Sequence, residues 1–199
     1  MTKHKYVHIF RRRREGKTDY RKRRGIIVGK NPFLSVRISG RFVYSQILSP
    51  TSEGDLTLCA ASSRDLEKKF GWKGSSKSVP GAYLTGFYLG QLAGEKKIKN
   101  AVLYSGVGRF VHGSRLASVI NGAKDAGLEV KVDEESLPDE SRLKGSHIAE
   151  FAKKLENDDS AKYNRMFSKM ISSGVSPIDY PAHFDAVKHA IELGSTAND

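Results

Sequence analysis

Residues 79–95 read VPGAYLTGFYLGQLAGE, and within them Ala82, Gly86, Gly90 and Gly94 recur every four residues. On a helix that interval puts all four on one stripe. Glycine inside a helix costs about 1 kcal/mol relative to alanine, so a stripe of them repeats the cost. The pattern makes sense where a neighbour comes so close that a Cβ would not fit. The segment is therefore predicted to be a helix from Val79 to Ala93, packed tightly against a sheet or another helix. Ser78 is placed to cap it, with Pro80 in the first turn and Gly94 to end it. A membrane-helix dimer would use the same small residues, but no stretch approaches the roughly 18 apolar residues of a span.

Strands lie before this helix. FLSVRIS alternates, with Leu34, Val36 and Ile38 on one face and Phe33, Ser35 and Arg37 on the other. Period two is the signature of a half-buried strand. Ser39-Gly40 marks a tight turn, RFVYSQIL is the hairpin partner, and LTLCAA is a third strand. After the glycine stripe come a short strand AVLY, a Gly-rich turn SGVGRFVHGS, a helix stopped by Gly127, and a fifth strand LEVKV. An acidic loop DEESLPDE follows, then helices near 146–157, 159–172 and 181–193. The order β-β-β-α-β-α argues for an α/β domain with a mixed sheet and flanking helices. Three regions are expected: a basic arm 1–30, an α/β core 31–135, and an acidic loop with helical extension 136–199.

The arm holds most of the charge. Residues 1–30 carry twelve Lys/Arg (Lys3, Lys5, Arg11, Arg12, Arg13, Arg14, Lys17, Arg21, Lys22, Arg23, Arg24, Lys30) against Glu15 and Asp19, a balance of +10. The remaining residues carry 22 basic and 20 acidic side chains, a balance of +2. Such a block repels itself, so alone it is expected to be disordered, and a polyanion would order it. Gly16, Gly25 and Gly29 argue against an amphipathic helix there, and so against a presequence. Tyr6, Phe10 and Tyr20 are interspersed where they can stack on unpaired bases. Nucleic acid is the expected partner, and the lack of helix-turn-helix or zinc-finger spacing favours RNA over DNA.

Catalysis finds little support. The turn at Gly106 and Gly108 places its next glycine, Gly113, two residues too late for a dinucleotide loop. Ser114 and Arg115 stand where a phosphate loop needs Lys. A helix start flanked by Arg109 and Arg115 can still offer N–H groups to an RNA phosphate. The three-strand opening suggests nucleases that hold magnesium on carboxylates. Here the first strand bears Ser35 and Arg37, and Asp55 and Asp65 have no obvious partners. The histidines lack metal-ligand spacing. Cys59 is the only cysteine and reads as a small buried residue in a reducing, intracellular setting.

Long blocks carry a resemblance. RRREGKTDYRKRR, VGKNPFLSVRISGRFVYSQI, GAYLTGFYLGQLA, GSRLASVINGAKDAGLEV and LPDESRLKGSHI resemble the universal large-subunit ribosomal protein eighteen family in its archaeal and eukaryotic form. The similarity spans residues 5–150, and the centre of the Gly-rich turn departs from it. The resemblance implies a ribonuclease-H-like sheet without catalytic carboxylates and no enzymatic activity. It implies no cofactor, metal, small-molecule substrate or membrane. The implied partners are 5S ribosomal RNA, large-subunit ribosomal RNA and neighbouring large-subunit proteins, in the cytoplasmic ribosome. The basic and aromatic residues of the arm, with Arg37, Arg109 and Arg115, are the expected RNA contacts. A divergent metal-dependent nuclease or a general nucleic-acid-binding protein is the alternative.

Overall fold

A computed structural model describes residues 8–194. In chain order it forms α1 (Arg11–Arg14), α2 (Tyr20–Gly29), β1 (Phe33–Ile38), β2 (Val43–Pro50), β3 (Asp55–Ser62), α3 (Ser63–Lys69) and α4 (Val79–Glu95). There follow β4 (Asn100–Tyr104), α5 (Arg115–Asp125), β5 (Glu129–Val130), α6 (Glu140–Lys144), α7 (Ser146–Asp158), α8 (Ser160–Met166), α9 (Ser168–Ser172) and α10 (Tyr180–Leu193).

The strands pair as expected, but Phe33, on the face opposite Leu34, is buried as well, its ring edge-on to Tyr104 at 5.5 Å. β1 and β2 run antiparallel, with Leu34 opposite Ile47 on one face and Arg37 opposite Tyr44 on the other. β2 starts at Val43 because Ser39 and Phe42 close the turn: Ser39 N–H donates to the Phe42 carbonyl at 2.8 Å and Phe42 N–H donates to Ser39 Oγ at 2.9 Å. β3 joins β2 antiparallel, with a register shift at Ile47/Leu48. β4 lies parallel to β1, so the strand order is β3-β2-β1-β4-β5. The expected fifth strand shrinks to two paired residues, Glu129 and Val130. Beyond them the acidic loop turns away toward the Gly-rich turn, where Gly113 N–H donates to the Ser136 carbonyl at 2.9 Å.

The glycine stripe does what its spacing implied. A Cβ on Gly86 would sit 1.9 Å from the Val119 carbonyl oxygen, and one on Gly122 would sit 2.1 Å from the Tyr83 carbonyl oxygen. A Cβ on Gly90 would meet the Ala126 Cβ at 2.6 Å. α4 and α5 therefore touch backbone to backbone. Gly94 behaves differently. Nothing lies within 4 Å of its Cβ position, and the helix runs through it to Glu95. Termination falls to Lys97, which takes the left-handed conformation (φ 59°). Its N–H donates to the Gly94 carbonyl while Ile98 N–H donates to Ala93, both at 2.9 Å, so a lysine stands at a position glycine usually holds. Gly127 ends α5 as expected, at φ 94°.

α4 is apolar all round because it is covered on two sides. Leu89 and Ala93 share a core with Leu34 and Ile47 of the sheet and with Ile120 and Ala123 of α5. Tyr83, Leu84 and Phe87 pack instead with Leu143, Tyr180, Phe184 and Val187 of the C-terminal helices. The helix expected over 159–172 breaks into α8 and α9 at Phe167, which turns into a small core with Leu155 and Tyr163. α10 is joined to the loop before α4 through His183. Its ring stacks on Trp72 at 5.0 Å, and its Nε2 accepts the Lys73 N–H at 3.1 Å.

Two predictions follow from this packing. Gly86→Ala and Gly122→Ala should each destabilise the chain by about 1–3 kcal/mol through overpacking, while Gly94→Ala should stabilise it by roughly 0.4–1 kcal/mol. Urea denaturation of the three variants checks both directions. His183 has its pKa lowered from the ordinary 6.5 by burial and then by the Lys73 charge. The unfolded chain therefore binds more protons as pH falls through about 6.5, and the stability held by neutral His183 is lost there. His183→Gln keeps an acceptor for Lys73 but cannot titrate. Its Tm should fall less than that of the unaltered chain between pH 7 and pH 5.

Candidate nucleic-acid interface

The arm was expected to carry no amphipathic helix and, alone, to be disordered; in the folded chain it forms α1 and α2, and α2 buries none of its residues. Asp19 caps α2 by accepting from Arg21 N–H at 3.0 Å and Lys22 N–H at 3.2 Å. A good cap offsets the low helix propensity of Gly25 and Gly29. Lys30 closes the helix in the left-handed conformation, its N–H donating to the Ile26 carbonyl at 3.1 Å. Glu15, the other acid, pairs with Arg11 at 2.7 Å and Lys17 at 2.8 Å, and these two cations hold its carboxyl below its ordinary pKa, Lys17 more strongly. Arg12 donates to the Thr18 hydroxyl at 2.8 Å. The two acids thus organise the basic segment locally. Arg11, Arg12, Arg13 and Arg14 remain exposed on α1, as do Lys17, Arg21, Lys22 and Arg24.

Of the aromatics, Phe10 and Tyr20 meet each other, with ring centroids 5.8 Å apart. Phe10 is still 72% exposed, so most of its surface is open to a base. Lys3, Lys5 and Tyr6 lie outside the described residues.

Arg23 has a separate role. Its guanidinium grips the Asp55 carboxylate with both terminal nitrogens, one contact at 2.6 Å. Only 19% of its side chain is exposed. This fork-on-carboxylate pair ties α2 to the start of β3. Lys22 Nζ approaches the Gly106 carbonyl at 3.4 Å, so α2 also reaches the turn after β4. Residues of α2, β4 and that turn, including Lys22, Ile26, Tyr104 and Ser105, line one groove. The sequence placed the arm and the Gly-rich turn 84 residues apart; the fold sets them side by side. No local pattern signals a pair such as Arg23 and Asp55, separated by 32 positions.

In the turn, Gly106 and Gly113 take left-handed φ values of 63° and 62°. Arg109 is exposed and Arg115 is the first residue of α5. The Ser114 hydroxyl already accepts the Ala117 N–H at 3.4 Å, so the helix start retains only part of its N–H capacity for an anion. Arg37 lies exposed on the sheet face away from α4 and α5. A second basic groove, lined by Arg41, Lys73, Lys77 and Lys169, joins the β1–β2 turn to α9; the sequence reading did not include it. Among the described residues no group of three or more His, Cys, Asp or Glu side chains could hold a metal ion. Asp65, which lacked an obvious partner in sequence, completes a capping box with Ser62 at the start of α3.

If Arg23 and Asp55 hold the arm in place, Asp55→Asn should loosen it. Asn keeps the size and one acceptor oxygen but loses the charge, a cost of about 1 kcal/mol. Trypsin cleavage within 11–24 should rise up to about fivefold in the variant, and 1 M salt should narrow the difference by screening.

Comparison with known proteins gives concordant results. The family model for ribosomal large subunit proteins 60S L5 and 50S L18 matches residues 4–98. The chain is 46% identical over 187 residues to large ribosomal subunit protein uL18 of Caldivirga maquilingensis, covering 94% of this chain and 90% of that one. It is 43% identical to uL18 of Aeropyrum pernix over 92% of this chain and 85% of the relative. The same identity holds with uL18 of Methanothermobacter thermautotrophicus over 94% and 96%. These matches extend past residue 150 into the C-terminal helices, further than the sequence blocks alone suggested. Nothing in them supports the nuclease alternative. The chain belongs to the uL18 family of large ribosomal subunit proteins.

Proposed function

We propose that this chain is a non-catalytic constituent of the large ribosomal subunit in the cytoplasm. It binds 5S ribosomal RNA and helps fasten it to large-subunit RNA in the central protuberance, beside neighbouring large-subunit proteins. The observation that carries this reading is the partition of charge. Residues 1–30 hold +10 of the formal +12, and the described part of that segment is anchored to the sheet by a cation that is itself neutralised by Asp55. The anchoring arginine orients the arm, and the remaining cations are left to contact phosphate.

We read the sheet as ribonuclease-H-like. Supporting this are the strand order β3-β2-β1-β4-β5 and the antiparallel meander joined to parallel strands. β1 carries Ser35 and Arg37 where a hydrolytic relative would need a carboxylate, so the fold serves as a platform. The division into arm, core and extension is part of the same reading. The core begins at β1, and the extension shares a hydrophobic cluster with α4. Arg37, Arg109 and Arg115 are assigned to RNA through the core, and Lys30 through the junction.

Removing residues 1–30 tests the arm. Six to ten lost phosphate contacts correspond to about 10³–10⁵ of the affinity change between 50 and 200 mM salt. The truncated chain should bind 5S RNA far more weakly and with a much flatter salt slope; equal affinity and slope would refute the assignment. Arg109→Ala with Arg115→Ala should weaken 5S RNA binding by roughly 1–3 kcal/mol. An unrelated RNA of equal length should lose less. Competition titration of both RNAs at fixed salt measures the difference, and equal losses would mark these arginines as generic charge.

A further inference from the structure

The sheet has two unlike faces. α4 and α5 cover one, burying Leu34, Ile47, Cys59 and Ala61. The other bears an open concavity lined by Ser35, Arg37, Ser39, Tyr44 and Gln46. The register explains the grouping: Arg37 pairs with Tyr44 and Ser35 with Gln46, so the four side chains share one face on adjacent strands. Directly opposed side chains lie about 5 Å apart at their Cβ atoms. Among the described residues, no hydrogen bond or ion pair engages the side chains of Arg37, Tyr44 or Gln46. Tyr44 is 40% exposed. The neighbouring Arg41 guanidinium lies over Phe42, 5.3 Å from its centroid, whereas among the described residues no cation covers the Tyr44 ring.

From this geometry, and resting on the reading of the chain as an RNA-binding protein, we infer a subsite for one unpaired RNA base on the open sheet face. The base stacks on Tyr44. Gln46, with one acceptor and two donor positions, and the Ser35 hydroxyl meet the base edge. Arg37 takes the adjoining phosphate, and none of the lining residues is acidic. Exposed aromatics on a sheet are a general means of holding splayed-out RNA bases, because every base has a π-face and stacking tolerates sequence. A paired duplex cannot use such a ring, since its bases are already stacked. The subsite therefore adds, from the folded core, a second preference for RNA with unpaired residues beside that of the arm aromatics.

The test uses the full chain and its Tyr44→Ala, Tyr44→Phe and Tyr44→Trp variants. Each is titrated at fixed salt with a 5S RNA transcript and with a perfectly paired RNA duplex of equal length. Stacking of one base predicts that Tyr44→Ala loses about 5- to 150-fold on 5S RNA with an unchanged salt slope. Tyr44→Phe should bind like the unaltered chain, and neither variant should change on the duplex. In Tyr44→Trp the new indole should be quenched by 5S RNA and not by duplex, Trp72 being buried and supplying a constant background. Undiminished 5S binding by Tyr44→Ala overturns the inference. So does an equal loss in Tyr44→Phe, which would point to a hydroxyl contact, or absence of quenching. An unaltered chain that fails to prefer 5S RNA over duplex would instead refute the underlying functional reading.

Discussion

Everything in the core is arranged around one contact: the approach of α4 and α5 at Gly86 and Gly122, where each helix backbone takes the space a side chain would need. With two helices this close, Leu89 and Ala93 from one and Ile120 and Ala123 from the other reach the same sheet face. The closeness also leaves the far side of α4 free to receive Leu143, Tyr180 and Phe184 from the C-terminal helices. One helix thus belongs to two clusters.

That economy has a functional consequence. Because α4 and α5 satisfy the burial requirement of one face, the opposite face can stay polar, with Arg37, Tyr44 and Gln46 uncommitted. The arm is held near it by a pair that combines high local charge with a fixed geometry. A run of arginines alone would supply affinity without direction. Pinning Arg23 to Asp55 gives the run an origin, and the approach of Lys22 to Gly106 extends it to the turn before α5. In the proposed reading, phosphate neutralisation and shape are supplied by different parts of one surface, as positioning and specificity commonly are in RNA recognition.

Much of this was legible in the residues. The period-two pattern of FLSVRIS pointed to β1, though not to the burial of Phe33 on its second face, and the four-residue glycine spacing pointed to the tight helix packing. These signals are local, and local order agrees with tertiary order where burial is strong. Three features were not legible. α2 was not legible because Gly25 and Gly29 weaken the helix signal and the Asp19 cap that offsets them carries no periodicity. Gly94 looked like a helix end, yet the chain closes at Lys97, because the carbonyls of Ala93 and Gly94 are met just as well with a lysine in the left-handed conformation. The Arg23–Asp55 pair was hidden because it joins segments 32 residues apart whose proximity exists only once β2 and β3 have paired. Long-range polar pairs have no periodicity to announce them.

The central claim is that this surface selects a particular RNA through arm and sheet together. Ultraviolet crosslinking in intact cells, followed by denaturing isolation of the protein, sequencing of attached RNA and mass spectrometry of attached peptides, addresses it directly. The account predicts 5S RNA as the dominant species with large-subunit RNA beside it, joined to peptides from both residues 8–30 and β2. RNA recovered in proportion to its abundance in the cell, or crosslinks confined to the arm, would contradict it.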